Sequence, residues 1–97
     1  MIGVIARLKV QDGKGPEFET AFKALAAKVR SDEPGNHLYR LCRSRSDVSE
    51  YVVMEVYTDD AAVEAHRGSA HFKDLGAALG PLMQPGRPVL EFLDTVD

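Results

Sequence analysis

Apolar and polar positions alternate at the start of the chain. Ile2, Val4, Ala6, Leu8 and Val10 are interleaved with Gly3, Arg7 and Lys9. A period of two predicts a strand, because successive side chains of an extended backbone point to opposite faces. Asp12-Gly13 is a turn signal, and Pro16 suits the first turn of a helix, where its missing N–H costs nothing. Phe18, Phe22, Leu25 and Val29 then recur at helical spacing, one apolar stripe on a helix ending near Arg30. Glu33-Pro34-Gly35-Asn36 closes that segment with turn chemistry. Leu38 to Arg43 and Tyr51 to Tyr57, joined by the polar stretch Ser44 to Ser49, predict a hairpin with a longish loop. Asp59 or Asp60 caps a short helix through Ala61, Ala62, Val63 and Ala65, and Gly68 ends it. Ser69 caps a second helix carrying Phe72, Leu75 and Leu79. Pro81, Pro85-Gly86 and Pro88 interrupt the chain before a last strand, Val89 to Val96.

Strand, helix, strand, strand, helix pair, strand is the order of a ferredoxin-like βαββαβ domain of the α+β class. Right-handed crossovers then leave a four-stranded antiparallel sheet with all helices on one face. The other face needs polar residues if it is to stand in water. It lacks them. The third predicted strand is apolar on both parities, with Tyr51, Val53 and Tyr57 on one and Val52, Met54 and Val56 on the other. The last strand repeats this with Val89 and Leu93 against Leu90, Phe92 and Val96, and Ile5 adds to the odd face of the first. Several hundred Å² of contiguous apolar surface exceeds what a monomer normally shows. Covering it offers on the order of 10 kcal/mol before association costs. A homodimer built sheet on sheet, a dimeric α+β barrel, is therefore expected.

Ninety-seven residues make one domain, 1–97, with no repeat or linker. A net charge of -3 argues against nucleic acid as partner. Arg40, Arg43 and Arg45 cluster, but Asp47 and Glu50 follow, as at a solvated strand end. Cys42 is the single cysteine, so no intrachain disulfide can form, and no metal or redox spacing surrounds it. The run from Met1 to Val10 is too short and too charged for a signal peptide, and no stretch reaches the roughly 20 apolar residues of a membrane span. A cytoplasmic protein without membrane contact is expected.

The candidate chemistry concentrates near the helix pair. Gly68 and Ser69 break the helix between His66 and His71, so the two rings need not follow one helical face and can both turn towards the sheet. A histidine near a helix N-terminus, as His71 would be, has its neutral form favoured and suits a base near neutral pH. The structural alternative is that both tie the helix junction to backbone groups. No metal centre is expected, since two imidazoles without a nearby carboxylate or third ligand do not make one, and the spacing is not H-E-x-x-H. Glu55 shares a strand face with Tyr57, Tyr51 and Val53. A carboxylate among apolar neighbours is costly unless paired, so Glu55 either anchors the helix junction, bonds to a histidine or backbone N–H, or holds a proton. Tyr57 and Tyr51 can stack on a flat substrate or serve as core aromatics. His37 reads as a loop residue. No phosphate loop, nucleotide fingerprint or Ser-His-Asp order is present.

Glu33-Pro34-Gly35-Asn36 before Leu38-Tyr39, Glu55-Val56-Tyr57-Thr58-Asp59, Ala65-His66 and Ser69-Ala70-His71-Phe72 together resemble the antibiotic biosynthesis monooxygenase family. The resemblance runs from about Ile2 to Phe92. It implies a dimeric ferredoxin-like fold, an E-x-G run ahead of the second strand, a glutamate and an aromatic ending the third, and two histidines five residues apart. His66, His71 and Glu55 are on these grounds the candidate catalytic residues, and Tyr57, Tyr51, Asn36 and Phe72 the candidate substrate-binding ones. Tyr57 stands where many members carry tryptophan, and this chain has none, which speaks against the haem-degrading branch. Asn36 stands where the monooxygenase branch often has cysteine and resembles the signal-molecule branch as well. The resemblance implies a quinol monooxygenase that acts on a small aromatic substrate and O₂ with no cofactor. Two alternatives stay open. One is an isomerase or tautomerase of a small carbonyl compound, with Arg67 or Arg40 holding an anionic group. The other is a non-catalytic ligand-binding dimer, which predicts a filled or very small cavity between sheet and helices.

Overall fold

The computed structural model describes residues 1–97. The chain runs β1 (Ile2–Lys9), α1 (Gly15–Asp32), β2 (Asn36–Arg43), β3 (Glu50–Tyr57), α2 (Asp60–Arg67), α3 (Ala70–Leu79), a 3₁₀ turn (Gly80–Leu82) and β4 (Val89–Asp94). The four strands form one antiparallel sheet in the order β2-β3-β1-β4. This is the expected ferredoxin-like α+β arrangement. Element ends differ from expectation by a residue or two, as helix and strand ends do. β2 starts at Asn36, because Asn36 already pairs with Tyr57, and the register shifts between Asn36 and Leu38. No helix is long and apolar enough to cross a membrane.

Register sorts the sheet's two faces. Tyr51, Val53, Glu55 and Tyr57 of β3 are buried with Val4, Ala6 and Leu8 of β1 and Tyr39 of β2. Against them lies the expected α1 stripe, Phe18, Phe22, Leu25 and Val29, all buried. Aromatic rings tie the layers together: Phe18 meets Tyr51 at 4.8 Å between centroids, and Phe22 stacks on Tyr39 at 5.5 Å. The opposite face carries Leu38, Met54, Val89 and Leu93, all exposed.

The helical cover stops short of β4. Leu90 and Phe92 pair with Ala6 and Val4 and so share the inner face, yet they are 48% and 52% exposed. Helices therefore shield three strands rather than four, and the inner layer opens along β4.

Two local features aim the site. Gly68 stops α2, and Ser69 starts α3 by accepting from Phe72 N–H at 3.2 Å while donating to the His66 carbonyl at 2.7 Å. This sharp junction lets His66, at the end of one helix, and His71, in the first turn of the next, face a common point. Gly35 is the other feature. A Cβ there would sit 2.6 Å from that of Ala62, so only glycine lets the α1–β2 turn press against α2. That approach carries Glu33, the residue that caps α1 before Pro34, to the histidines.

Candidate active site

Between the inner face of the sheet and α2, α3 and the Met83–Pro88 segment lies a cavity of about 710 Å³. Its size is that of a small-molecule site. The filled or very small cavity that a non-catalytic scaffold predicts is not what the fold contains. Val4, Ala6, Val53, Leu75, Leu79, Leu90 and Phe92 supply apolar walls, and Glu55, Tyr57, Tyr39, His66, Arg67 and Arg87 bring polar groups to them.

The buried polar residues form two groups. In the first, the carboxylate of Glu33 holds both histidines. His66 Nδ1 lies 3.0 and 2.9 Å from the two Glu33 oxygens, and His71 Nε2 bonds to Glu33 Oε2. An ionised carboxylate can only accept, so each imidazole donates the N–H it aims at Glu33. Neutral His66 then has its lone pair on Nε2. That atom makes no bond within the protein, and no fully buried side-chain nitrogen or oxygen lacks a partner, so Nε2 opens to the cavity that His66 lines. Glu33 and His71 stand behind it and are not cavity residues. An imidazole with a free nitrogen forward and a carboxylate behind is held in one orientation and one tautomer.

In the second group, the Tyr57 hydroxyl donates to Glu55 Oε1 at 2.6 Å. Burial pushes the Glu55 carboxyl up to about 7 against the pull of that bond, and the negative charge of Glu33 adds to the rise. The carboxyl thus divides between protonated and ionised forms near neutral pH. Burial, then the neighbouring Glu55, hold the Tyr57 phenol far above its ordinary range, so it stays a neutral donor. Tyr39 is pushed the same way by burial and by both glutamates. His66 is packed between these aromatics, 5.4 Å from the rings of Tyr39 and Tyr57 and edge-on to Phe72 at 4.9 Å.

The structure brings His66, Glu55, Tyr57 and Phe72 to one cavity, and His71 to its rear. It does not bring Tyr51 or Asn36 there. Tyr51 packs in the far half of the core with its hydroxyl on Glu19, and Asn36 turns its amide onto the Leu38 carbonyl. His37 bonds to Thr58 outside the cavity. Arg40 pairs with Met54 on the open face, too far round the sheet to hold a ligand beside His66. The expectation that no carboxylate stands near the two histidines is overturned by Glu33. Its signal was present in the E-x-G run, but as turn chemistry; that the turn folds against α2 depends on Gly35 meeting Ala62, a contact no local pattern displays.

The profile of the family described as antibiotic biosynthesis monooxygenase matches residues 1–78. The protein YcnE of Bacillus subtilis (strain 168) is 33% identical over 73 residues, covering 75% of this chain and 76% of its own. A solved structure from Caulobacter crescentus CB15 bearing the same family name is 49% identical, with a TM-score of 0.94 over 99% of this chain and 90% of that one. SnoaB from Streptomyces nogalater, a cofactor-independent oxygenase solved as a point mutant, is 25% identical, with a TM-score of 0.83 over 99% of this chain and 93% of that one. With a family match over residues 1–78 and a 33% identical relative covering three quarters of it, the chain belongs to the antibiotic biosynthesis monooxygenase family.

Proposed function

We propose that the protein is a cofactor-independent monooxygenase of a quinol or similar small, flat phenol, with His66 as its general base. One observation carries this reading: His66 offers a free Nε2 to an apolar cavity while Glu33 holds its Nδ1. SnoaB, similar along the whole chain, lends support by the chemistry in its name.

The phenol enters with its hydroxyl against His66 Nε2, which takes the proton, and Glu33 stabilises the imidazolium. The phenolate passes one electron to O₂, and the resulting semiquinone and superoxide radicals combine at a ring carbon. Proton return gives a hydroperoxide. Loss of the ring C–H proton and cleavage of O–O then leave a carbonyl on the substrate, while the second oxygen departs as water. Four electrons leave the quinol and four enter O₂, so no external reductant is needed. Glu55, near half protonated at neutral pH, supplies the proton that the leaving oxygen takes. The apolar walls strengthen these charge interactions by excluding water.

A second copy covers the open face, where Leu38, Met54, Val89 and Leu93 stand exposed. Small-angle scattering measures this directly, and a monomer at micromolar concentration refutes it. For the chemistry, oxygen uptake by metal-stripped protein is followed over a panel of quinols. Uptake that falls by on the order of 100-fold or more in His66→Ala is expected. Uptake unchanged in that variant, or absent with every quinol, rejects the assignment.

A further inference from the structure

Glu33, His66 and His71 have a second capability. Their ligating atoms, one carboxylate oxygen and two imidazole nitrogens, lie within 4.8 Å of one another. Their side chains are 9%, 5% and 16% exposed, so little water competes for them. They come from three separate elements, the end of α1, the end of α2 and the start of α3, and they already face one point. Two imidazoles and a carboxylate suit Zn²⁺ and its neighbours, not Mg²⁺ or Ca²⁺, which prefer all-oxygen sites. Ligands about 2.1 Å from a tetrahedral ion stand about 3.4 Å apart, so the hydrogen-bonded contacts to Glu33 open slightly and the wider separation closes from at most 4.8 Å, with water in the fourth position.

We propose that Glu33, His66 and His71 bind a divalent transition metal ion such as Zn²⁺, and that binding switches off the base that faces the cavity. This rests on the reading of His66 as base. The ion needs the lone pair of His66 Nδ1, the atom that otherwise donates its proton to Glu33. With Nδ1 occupied, neutral His66 carries its proton on Nε2. The nitrogen that accepted becomes a donor, and a phenol presented to it keeps its proton. His71 makes the same exchange between its ring nitrogens, so no net proton is lost from either imidazole. The ion sits behind His66 and leaves the cavity itself unblocked, since neither Glu33 nor His71 lines it. Inhibition therefore acts on turnover and spares substrate binding.

Zn²⁺ titrated calorimetrically into the metal-stripped chain should bind once per chain at micromolar or tighter Kd. His71→Ala and Glu33→Ala should each weaken it by roughly 100-fold or more, whereas His37→Ala and Cys42→Ser, at residues outside the cluster, should bind as the natural chain does. Long-range ¹H–¹⁵N spectra of the His66 ring read the switch without any substrate: Nδ1–H before Zn²⁺, Nε2–H after it. In protein that consumes O₂ with a quinol, kcat should fall with a midpoint at the measured Kd, KM should hold, and a chelator should restore the rate. No stoichiometric binding, binding that survives His71→Ala, or an unchanged His66 tautomer overturns the proposal. So does a bound enzyme at full rate. Protein that turns over no quinol yet binds Zn²⁺ with the tautomer change would sink the oxygenase reading and leave the metal site standing.

Discussion

Strand β3 carries two tyrosines on one face, and each donates its hydroxyl to a carboxylate at 2.6 Å. The likeness ends there. Tyr51 closes the packed half of the core, its ring on Phe18 and its hydroxyl reaching out to Glu19, which also pairs with Arg43 at 3.0 Å. The Tyr51 hydrogen bond, and then Arg43, hold the Glu19 carboxyl below its ordinary value. Tyr57 stands at the cavity end, and Glu55 has no cation beside it, so burial wins over the hydrogen bond and the carboxyl rises to about 7. One donor–acceptor pair yields a surface anion at one end and, at the other, a buried carboxyl divided between its two forms near neutral pH. Solvent and the nearest charge decide which.

The contrast is broken most directly by exchanging the carboxylates for amides. Glu33→Gln leaves His66 without an anion behind it and sets an amide N–H₂ where an acceptor is needed, so turnover of a quinol should fall on the order of 10³-fold. Glu19→Gln should not alter turnover. Equal losses in the two variants, measured by oxygen uptake, would dissolve the distinction between the two ends. In stability the ranking reverses. Phe18→Ala removes a fully buried ring from the packed end and should cost about 3–5 kcal/mol in denaturant unfolding, with kcat of the folded fraction unchanged.

The sequence makes the packed end plain and the cavity end obscure, for a physical reason. Phe18, Phe22, Leu25 and Val29 announce their helix because a core needs apolar side chains at regular spacing, and regular spacing is visible in a string of letters. Likewise Asp59, Gly68 and Ser69 mark their helix ends through local hydrogen bonds that depend on near neighbours alone. The site depends on distant meetings. Glu33 reaches His71 across 38 residues, and only the closeness of Gly35 to Ala62 brings it there. Tyr51 and Tyr57 share a strand face, so periodicity ranks them alike as substrate contacts; which one meets the cavity follows from where α1 packs and where the α2–α3 junction leaves a gap. Exposure of the inner face of β4 is equally invisible, since Leu90 and Phe92 have the composition of covered residues.

Glu55→Gln sharpens the comparison through pH. The folded carboxyl sits near 7 and the unfolded one near its ordinary 4.5. Between those values the unfolded chain releases a proton that the folded chain keeps, so stability falls as pH rises through this window and levels off above about 7. The full excursion is about 3 kcal/mol, from 1.36 kcal/mol per unit. Glutamine imitates the protonated acid and still accepts from Tyr57. The variant should match the natural chain near pH 5 and exceed it in melting temperature at pH 8. Glu19 works in the opposite sense: its lowered value contributes stability above its unfolded pKa that is lost as pH falls. A natural chain that grows more stable from pH 5 to pH 8, with no gain in Glu55→Gln, would show that Glu55 is ionised like Glu19.

The smallest effect tests the two hydroxyls themselves. Tyr51→Phe keeps the ring on Phe18 and removes a bond at the protein surface, where water can replace the lost donor to Glu19; the cost should be about 0.5–1.5 kcal/mol. Arg43 still holds Glu19 ionised, so neither the activity nor its pH profile should move. Tyr57→Phe removes the one influence that lowers Glu55 and leaves burial and the charge of Glu33 unopposed. Its carboxyl should titrate higher, and the fall of stability with pH should extend above 7, visible in melting temperatures between pH 6 and pH 9. If Tyr51→Phe shifted the activity profile and Tyr57→Phe did not, the proton carrier would lie at the other end of the strand.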